Sequence, residues 1–303
     1  MKPNFFIIGA PKCGTTAMSE YLSGNPGVFF SDTKEPNHFS SDLLERTRMD
    51  RAAYLSLFDR ADAAVHRAVG EASTTYLFSR RAVPDILEFN PEARFIVMLR
   101  NPVDLARALH SERVFEGRET LLDFEQAWRA EADRREGRRI PPACWGPQDL
   151  LYSQWARLGE QMERLFKLVP RERVRVILFD DFTADPAGAY ARTLDFLGLP
   201  QDGRRNFEKI NQNKRLVWPP LQVASGFLAQ CAWWVKKKLG ITRKFGFITG
   251  LLMMNTRTGD RKPIRGEFRL ELLDFFREDV EKLSALLGRD LSHWTAGKKE
   301  GVD

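Results

Sequence analysis

Residues 4–9, NFFIIG, are a short, mainly apolar and β-rich run of strand length, and Ala17, Met18 and Tyr21 then recur on one side of a helix that starts at Thr15. The pattern predicts a strand, a tight loop and a helix. It returns at RFIVMLRNPVDLARALHSE (94–112), with a buried strand to Leu99, Pro102 in a helix's first turn, and Leu105, Ala108 and Leu109 facing inward. A third apolar stretch, VRVILFDDF (174–182), predicts a strand followed by a helix from Pro186 to Leu197. Strands alternating with helices predict an α/β fold with a central parallel sheet covered on both faces.

Between the second and third of these units only helices are expected. The clearest spans 150–168, where Leu151, Trp155, Leu158, Met162 and Leu165 recur at steps of four and three. A last helix over 267–287 repeats the spacing with Leu272, Phe276, Val280, Leu283 and Leu287. No internal repeat, low-complexity tract or Pro/Gly-rich linker divides the chain, so residues 1–303 read as one domain with helical insertions. Residues 217–254 mix Trp218, Trp233 and Trp234 with Lys236, Lys237 and Lys238. A helical excursion over about 217–255, covering an acceptor site, is the favoured reading there; peripheral membrane contact is the alternative.

Composition narrows the class. With 43% hydrophobic and 29% charged residues the chain is globular rather than disordered. Its net charge of +6, from 47 basic and 41 acidic residues, is too small and too evenly mixed to indicate nucleic acid as a partner. Three dispersed cysteines, Cys13, Cys144 and Cys231, without a CxxC pair, fit a reducing cytoplasm and offer no zinc site. The start of the chain lacks a signal-peptide pattern, and no segment reaches the roughly 18–20 apolar residues needed to cross a bilayer.

The loop between the first strand and helix, GAPKCGTT (9–16), carries the chemistry. A strand that ends in glycine and turns directly into a helix aims several N–H groups and the positive end of the helix dipole at one point, which suits phosphate. Gly9 and Gly14 have the GxxxxG spacing of a nucleotide-binding loop, but Thr15 and Thr16 stand where a Walker loop has Lys and Ser/Thr. Lys12 lies inside the loop instead. This arrangement suits one 5′-phosphoryl group carrying a transferable group, with no obligatory metal, rather than a β/γ-phosphate with magnesium. Cys13 sits where a helix N-terminus lowers a thiol pKa, yet no resolving cysteine or partner histidine supports a redox role.

PKCGTTAM resembles the 5′-phosphosulfate loop of sulfotransferases that use 3′-phosphoadenosine 5′-phosphosulfate (PAPS), in particular the heparan sulfate sulfotransferase-like bacterial branch. KEPNHF (34–39), the 94–112 block and the ending FREDVEKLSALLGRDLSHW (276–294) are similar to that branch in the same order. The resemblance implies a P-loop-type three-layer α/β/α fold and transfer of a sulfuryl group from PAPS to a hydroxyl or amine of a carbohydrate, lipid or small molecule. It places Lys12, Cys13, Gly14, Thr15 and Thr16 on the nucleotide and makes Lys12 the electrophilic catalyst. Glu35 matches the branch's catalytic base, and His38 is an alternative base or acceptor contact. Arg100, emerging at the carboxyl edge of the sheet, suits the 3′-phosphate. The family's serine partner to it is Ala108 here, and Ser111 on roughly the same face is the substitute. Ala72 stands where heparan-type enzymes carry a catalytic lysine, so that role is not carried over. Glu71 remains a candidate for orienting the acceptor or Lys12, and Arg261 and Lys262 for contacts from a basic loop. A P-loop small-molecule kinase and a non-catalytic nucleotide-binding relative are the rival readings. Acceptor identity and oligomeric state are left open.

Overall fold

The computed structural model describes residues 1–43, 48–208, 210, 214–216, 256–258 and 264–296. Its contacts gather into two compact units, the first made of residues 1–105, 157–211 and 273–303, the second of 106–156 and 212–272.

The first unit holds a five-stranded sheet made of β1 (Phe5–Gly9), β2 (Val28–Phe30), β3 (Ala68–Ala72), β4 (Arg94–Leu99) and β5 (Val174–Leu178) in the order β2-β3-β1-β4-β5. Every pairing is parallel. The central strands read as continuous apolar runs because both faces are covered: Phe5, Phe6, Ile7 and Ile8 of β1 and Phe95 to Leu99 of β4 have no exposed surface. The flanking helices include α1 (Thr15–Ser23), α2 (Arg51–Ser56) and α3 (Ala82–Phe89). The helix α4 (Pro102–Phe115) starts at the proline the sequence marks and runs on into the second unit. In β3, AVGEA, Gly70 is required by close approach, since a Cβ there would lie 2.3 Å from the ring of Phe5.

Two expectations from periodicity are corrected. The strand predicted over 174–182 stops at Leu178, and Phe179–Ala184 turns helical. The stripe over 150–168 is buried throughout but is not one helix. After α5 (Phe124–Arg129) and α6 (Glu131–Arg135), a short 3-10 turn (Pro147–Leu150) leads into α7 (Tyr152–Trp155), and a separate helix, α8, spans Leu158–Leu168. The break has a physical cause in the first unit: the buried Asp279 carboxylate accepts the N–H of Gly159 at 2.8 Å and of Glu160 at 2.9 Å, capping a new helix start. After α9 (Phe179–Ala184), α10 (Pro186–Leu197) has the predicted bounds, with Asp185 capping Gly188 N–H, Pro186 in the first turn and Gly198 at φ 72° closing the end. The last helix, α11, spans Gly266–Leu287.

The second unit has a two-stranded antiparallel pair, β6 (Lys214–Leu216) and β7 (Thr256–Thr258), and a buried ion cluster. Arg134 pairs with Glu119 at 2.7 Å with neither side chain exposed, Tyr152 donates to Glu119 at 2.7 Å, and Arg113 and Arg118 both pair with Asp149. Buried charges of this kind are tolerated because each is paired. Burial lowers the pKa of His110 there, and its Nε2 donates to the Leu121 carbonyl at 2.8 Å, a structural role.

Candidate active site

β1 stands where the strand order reverses, with β3 on one side and β4 on the other, so the loops leaving the carboxyl ends of these three parallel strands share one edge of the first unit. Residues 10–14 leave β1 still tied to β4, with Ala10 N–H on the Met98 carbonyl at 2.6 Å. Gly14 is the N-cap of α1 at φ 89°, and no side chain caps that helix start. A side chain at position 14 would be doubly opposed: its Cβ would lie 3.1 Å from Phe182 and 3.3 Å from the Met98 methyl, in a left-handed conformation. Gly14→Ala is therefore expected to cost about 1–2 kcal/mol and to lower the urea midpoint in equilibrium unfolding.

Lys12 also has a left-handed backbone, φ 62°, in a half-buried position. A bulky residue held there is uncommon and concentrates at functional sites. Cys13 contrasts with the sequence expectation of a lowered thiol pKa. Its side chain is fully buried, Sγ lies 3.4 Å from the Pro11 carbonyl, and burial pushes the thiol up to about 12 against the opposing pull of Arg100 and Lys12. Thr15 is buried and Thr16 half-buried. Arg100 follows β4 directly, its guanidinium 4.7 Å from the Phe179 ring and 3.9 Å from Asp104.

The segment after β2 comes to the same edge. Glu35 N–H donates to the Ala72 carbonyl at 3.1 Å. The Glu35 carboxylate accepts the Thr74 N–H at 2.9 Å and has both oxygens 3.1 Å from the Thr74 hydroxyl. Glu35 and Asn37 are both left-handed, at φ 55° and 50°. Lys34, adjacent to Glu35, places its ammonium 2.5 Å from the Thr16 hydroxyl on the first turn of α1. Sequence reasoning gave no role to Lys34 or Thr74. The available signals were the Lys34-Glu35 adjacency and the hydroxyl-rich STTY at 73–76.

His38 is half-buried, stacked on Tyr54 at 4.5 Å, and Nδ1 donates to the Met49 carbonyl at 2.8 Å, which leaves Nε2 as the lone-pair nitrogen of the neutral ring. Glu71 is fully buried and accepts hydroxyl protons from Tyr76 at 2.7 Å, Ser73 at 2.8 Å and Tyr54 at 3.4 Å. Full burial and these three hydroxyl donors tie Glu71 into the segment after β3 and to α2. Burial raises its carboxyl to about 7, opposed by the hydroxyl donors and reinforced by the charge of Glu35.

The structure thus brings together the 10–16 loop, Lys34, Glu35, Thr74 and Arg100. Ser111 belongs to the second unit, and its hydroxyl donates to the Arg107 carbonyl at 2.9 Å. Arg261, Lys262 and residues 217–254 lie outside the described residues. Among the described residues no helix is long and apolar enough to cross a membrane, and no group of three His, Cys, Asp or Glu is arranged to hold a metal ion.

Comparison with known proteins gives the family. A sequence model of the sulfotransferase family matches residues 3–203, which include the 9–16 loop, KEPNHF, the β3 segment and Arg100, and the chain belongs to that family. Carbohydrate sulfotransferase 15 of Mus musculus is 32% identical over 143 residues, covering 34% of this chain and 26% of that protein. Heparan sulfate glucosamine 3-O-sulfotransferase 6 of Homo sapiens is 28% identical over 201 residues, covering 65% of this chain and 52% of that protein. The chain therefore spans only about a quarter to a half of the length of these curated relatives. The crystal structure of a sulfotransferase from Alicyclobacillus acidocaldarius is similar over 98% of this chain and 100% of that one, at 29% identity and a TM-score of 0.71.

Proposed function

We propose that the chain transfers a sulfuryl group from PAPS to a hydroxyl of a carbohydrate, with lipid or small-molecule hydroxyls and amines as the wider acceptor class. The observation that carries this reading is the Lys34 ammonium on the Thr16 hydroxyl, which joins the uncapped start of α1 to the residue next to Glu35. On this reading the uncapped start of α1 is the anion cradle, and the Glu35 carboxylate stands beside it. The names of the matching relatives, carbohydrate and heparan sulfate glucosamine sulfotransferases, support a sugar acceptor. The reading keeps residues 1–303 as one domain, and a reducing cytoplasm fits the buried free thiols of Cys13 and Cys144.

PAPS supplies an activated sulfuryl group whose transfer breaks the bond between sulfur and the bridging oxygen of the 5′-phosphate. The N–H groups of Gly14, Thr15 and Thr16 hold that phosphate, and Lys12 neutralises the charge that gathers on the departing oxygen. Glu35 takes the acceptor's proton as its oxygen attacks. Arg100 holds the 3′-phosphate.

Calorimetric titration separates the rivals. Adenosine 3′,5′-bisphosphate is expected to bind more tightly than ATP with magnesium, and labelled sulfate is expected to pass from PAPS to a carbohydrate acceptor in a product screen. Preference for ATP with magnesium would establish the kinase reading instead. Lys34→Ala, at an exposed position, is expected to weaken the bisphosphate by about tenfold, one lost charge-assisted contact, without changing the unfolding midpoint.

A further inference from the structure

The loop that carries Glu35 is tied down through a single buried carboxylate. Ser73 donates its proton to Glu71, so its oxygen is left to accept, and it takes the Asn37 N–H at 3.1 Å. Tyr76 does the same, donating to Glu71 and taking the Phe39 N–H at 3.4 Å. Because a carboxylate only accepts, it orients both hydroxyls in one sense and turns their lone pairs toward the 37–39 backbone. Between these two residues lies Thr74, whose N–H and hydroxyl hold the Glu35 carboxylate. Thr75, on the same segment, donates to the Asn37 side chain at 2.7 Å.

We propose that Glu71 is the positioning residue for Glu35, fixing through Ser73 and Tyr76 both the loop that bears the Glu35 carboxylate and the segment against which it is set. The proposal rests on the reading of Glu35 as the base of a sulfotransferase. It assigns Glu71 no contact with substrate.

Groups that face Glu71 are Tyr54 from α2, Ser73 and Tyr76 from the segment after β3, and Glu35 from the loop after β2; its register partner on β1, Phe6, is uncharged. His38 stacks on Tyr54. Near neutrality a protonated Glu71 must donate to one of its hydroxyls and reverse that bond. Ionisation restores all three bonds and with them the orientation of both hydroxyls toward the 37–39 backbone.

Glu71→Gln keeps the shape and tests the claim. Its kcat is expected to fall about 10- to 100-fold while the affinity for adenosine 3′,5′-bisphosphate stays within about twofold. Wild-type kcat is expected to rise as pH increases through about 7, where burial places the Glu71 carboxyl, and this step is expected to vanish in Glu71→Gln. Ser73→Ala, which cuts only one relay, is expected to lower kcat and keep bisphosphate affinity. In hydrogen exchange, amide 37 is expected to lose protection in both variants and amide 39 in Glu71→Gln, while those of 15–22 keep theirs.

Wild-type kcat in Glu71→Gln, a pH step that persists in it, or unchanged exchange at 37–39 in both variants would overturn the proposal. If the wild type does not turn over PAPS at all, the sulfotransferase reading fails, and the exchange result alone decides whether Glu71 sets the loop.

Discussion

Lys12→Met is expected to lower kcat for sulfuryl transfer by about 10²–10³-fold, the loss of about 2.7–4 kcal/mol that follows removal of one charge-stabilising group from a preorganised site. Lys12 lies in a short loop between buried β1 and α1, half-buried and with its backbone held left-handed, so the fold sets the direction in which its side chain leaves the main chain. Preorganisation matters because the charge on the bridging oxygen grows only as the bond to sulfur breaks. Affinity for adenosine 3′,5′-bisphosphate is expected to change far less than kcat, since the proposed 5′-phosphate cradle at the start of α1, with Lys34 on Thr16, is left intact. Methionine keeps the stem and removes the charge. Lys12→Gly, which relieves the left-handed conformation, separates backbone strain from electrostatics: both variants should be equally slow in single-turnover assays with PAPS. Recovery of turnover in Lys12→Gly, or a loss of less than about fivefold in Lys12→Met, rules out the assigned role.

The parts of the fold legible in the sequence are those where burial on both faces writes an apolar run. NFFIIG and RFIVML became β1 and β4 at almost the expected bounds, and Asp185, Pro186 and Gly198 marked both ends of α10. β3 was not legible as a buried strand, because AVGEA carries a glycine that yields to Phe5 and a glutamate whose burial depends on Tyr54, Ser73 and Tyr76. β2 is three residues long and too short to show a period. At 150–168 the apolar spacing runs straight through a main-chain break, since periodicity records which side chains are buried and not the cap that Asp279 supplies from 120 residues away.

The candidate site divides in the same way. Lys12 and Glu35 were legible as candidates because the motifs that single them out, GAPKCGTT and KEPNHF, are local in sequence. Lys34 on Thr16 and Thr74 on Glu35 were not, because those pairs arise only when β3 is inserted between β2 and β1. Cys13 shows the converse: its place before a helix start favours a lowered thiol pKa, while burial, which sequence position does not report, pushes it up, and no redox role was assigned to it.

Glu35→Gln is expected to reduce kcat by about 10²–10⁴-fold, the usual contribution of a general base, with bisphosphate affinity nearly unchanged. The amide oxygen can still accept the Thr74 N–H, so the loop keeps its position and the loss reports proton transfer rather than misfolding. Two comparisons make the assignment specific. Glu35→Ala opens space at the carboxylate position, and added formate is expected to restore part of the turnover there but none in Lys12→Met. His38→Asn tests the rival base: its ring is stacked on Tyr54 and Nδ1 is committed to the Met49 carbonyl, so only Nε2 is available to take a proton. A loss in His38→Asn below about tenfold beside a large loss in Glu35→Gln places proton abstraction on the carboxylate. The reverse pattern, a large loss in His38→Asn with Glu35→Gln near wild type, moves the base to His38 and leaves Glu35 as the partner that fixes Thr74.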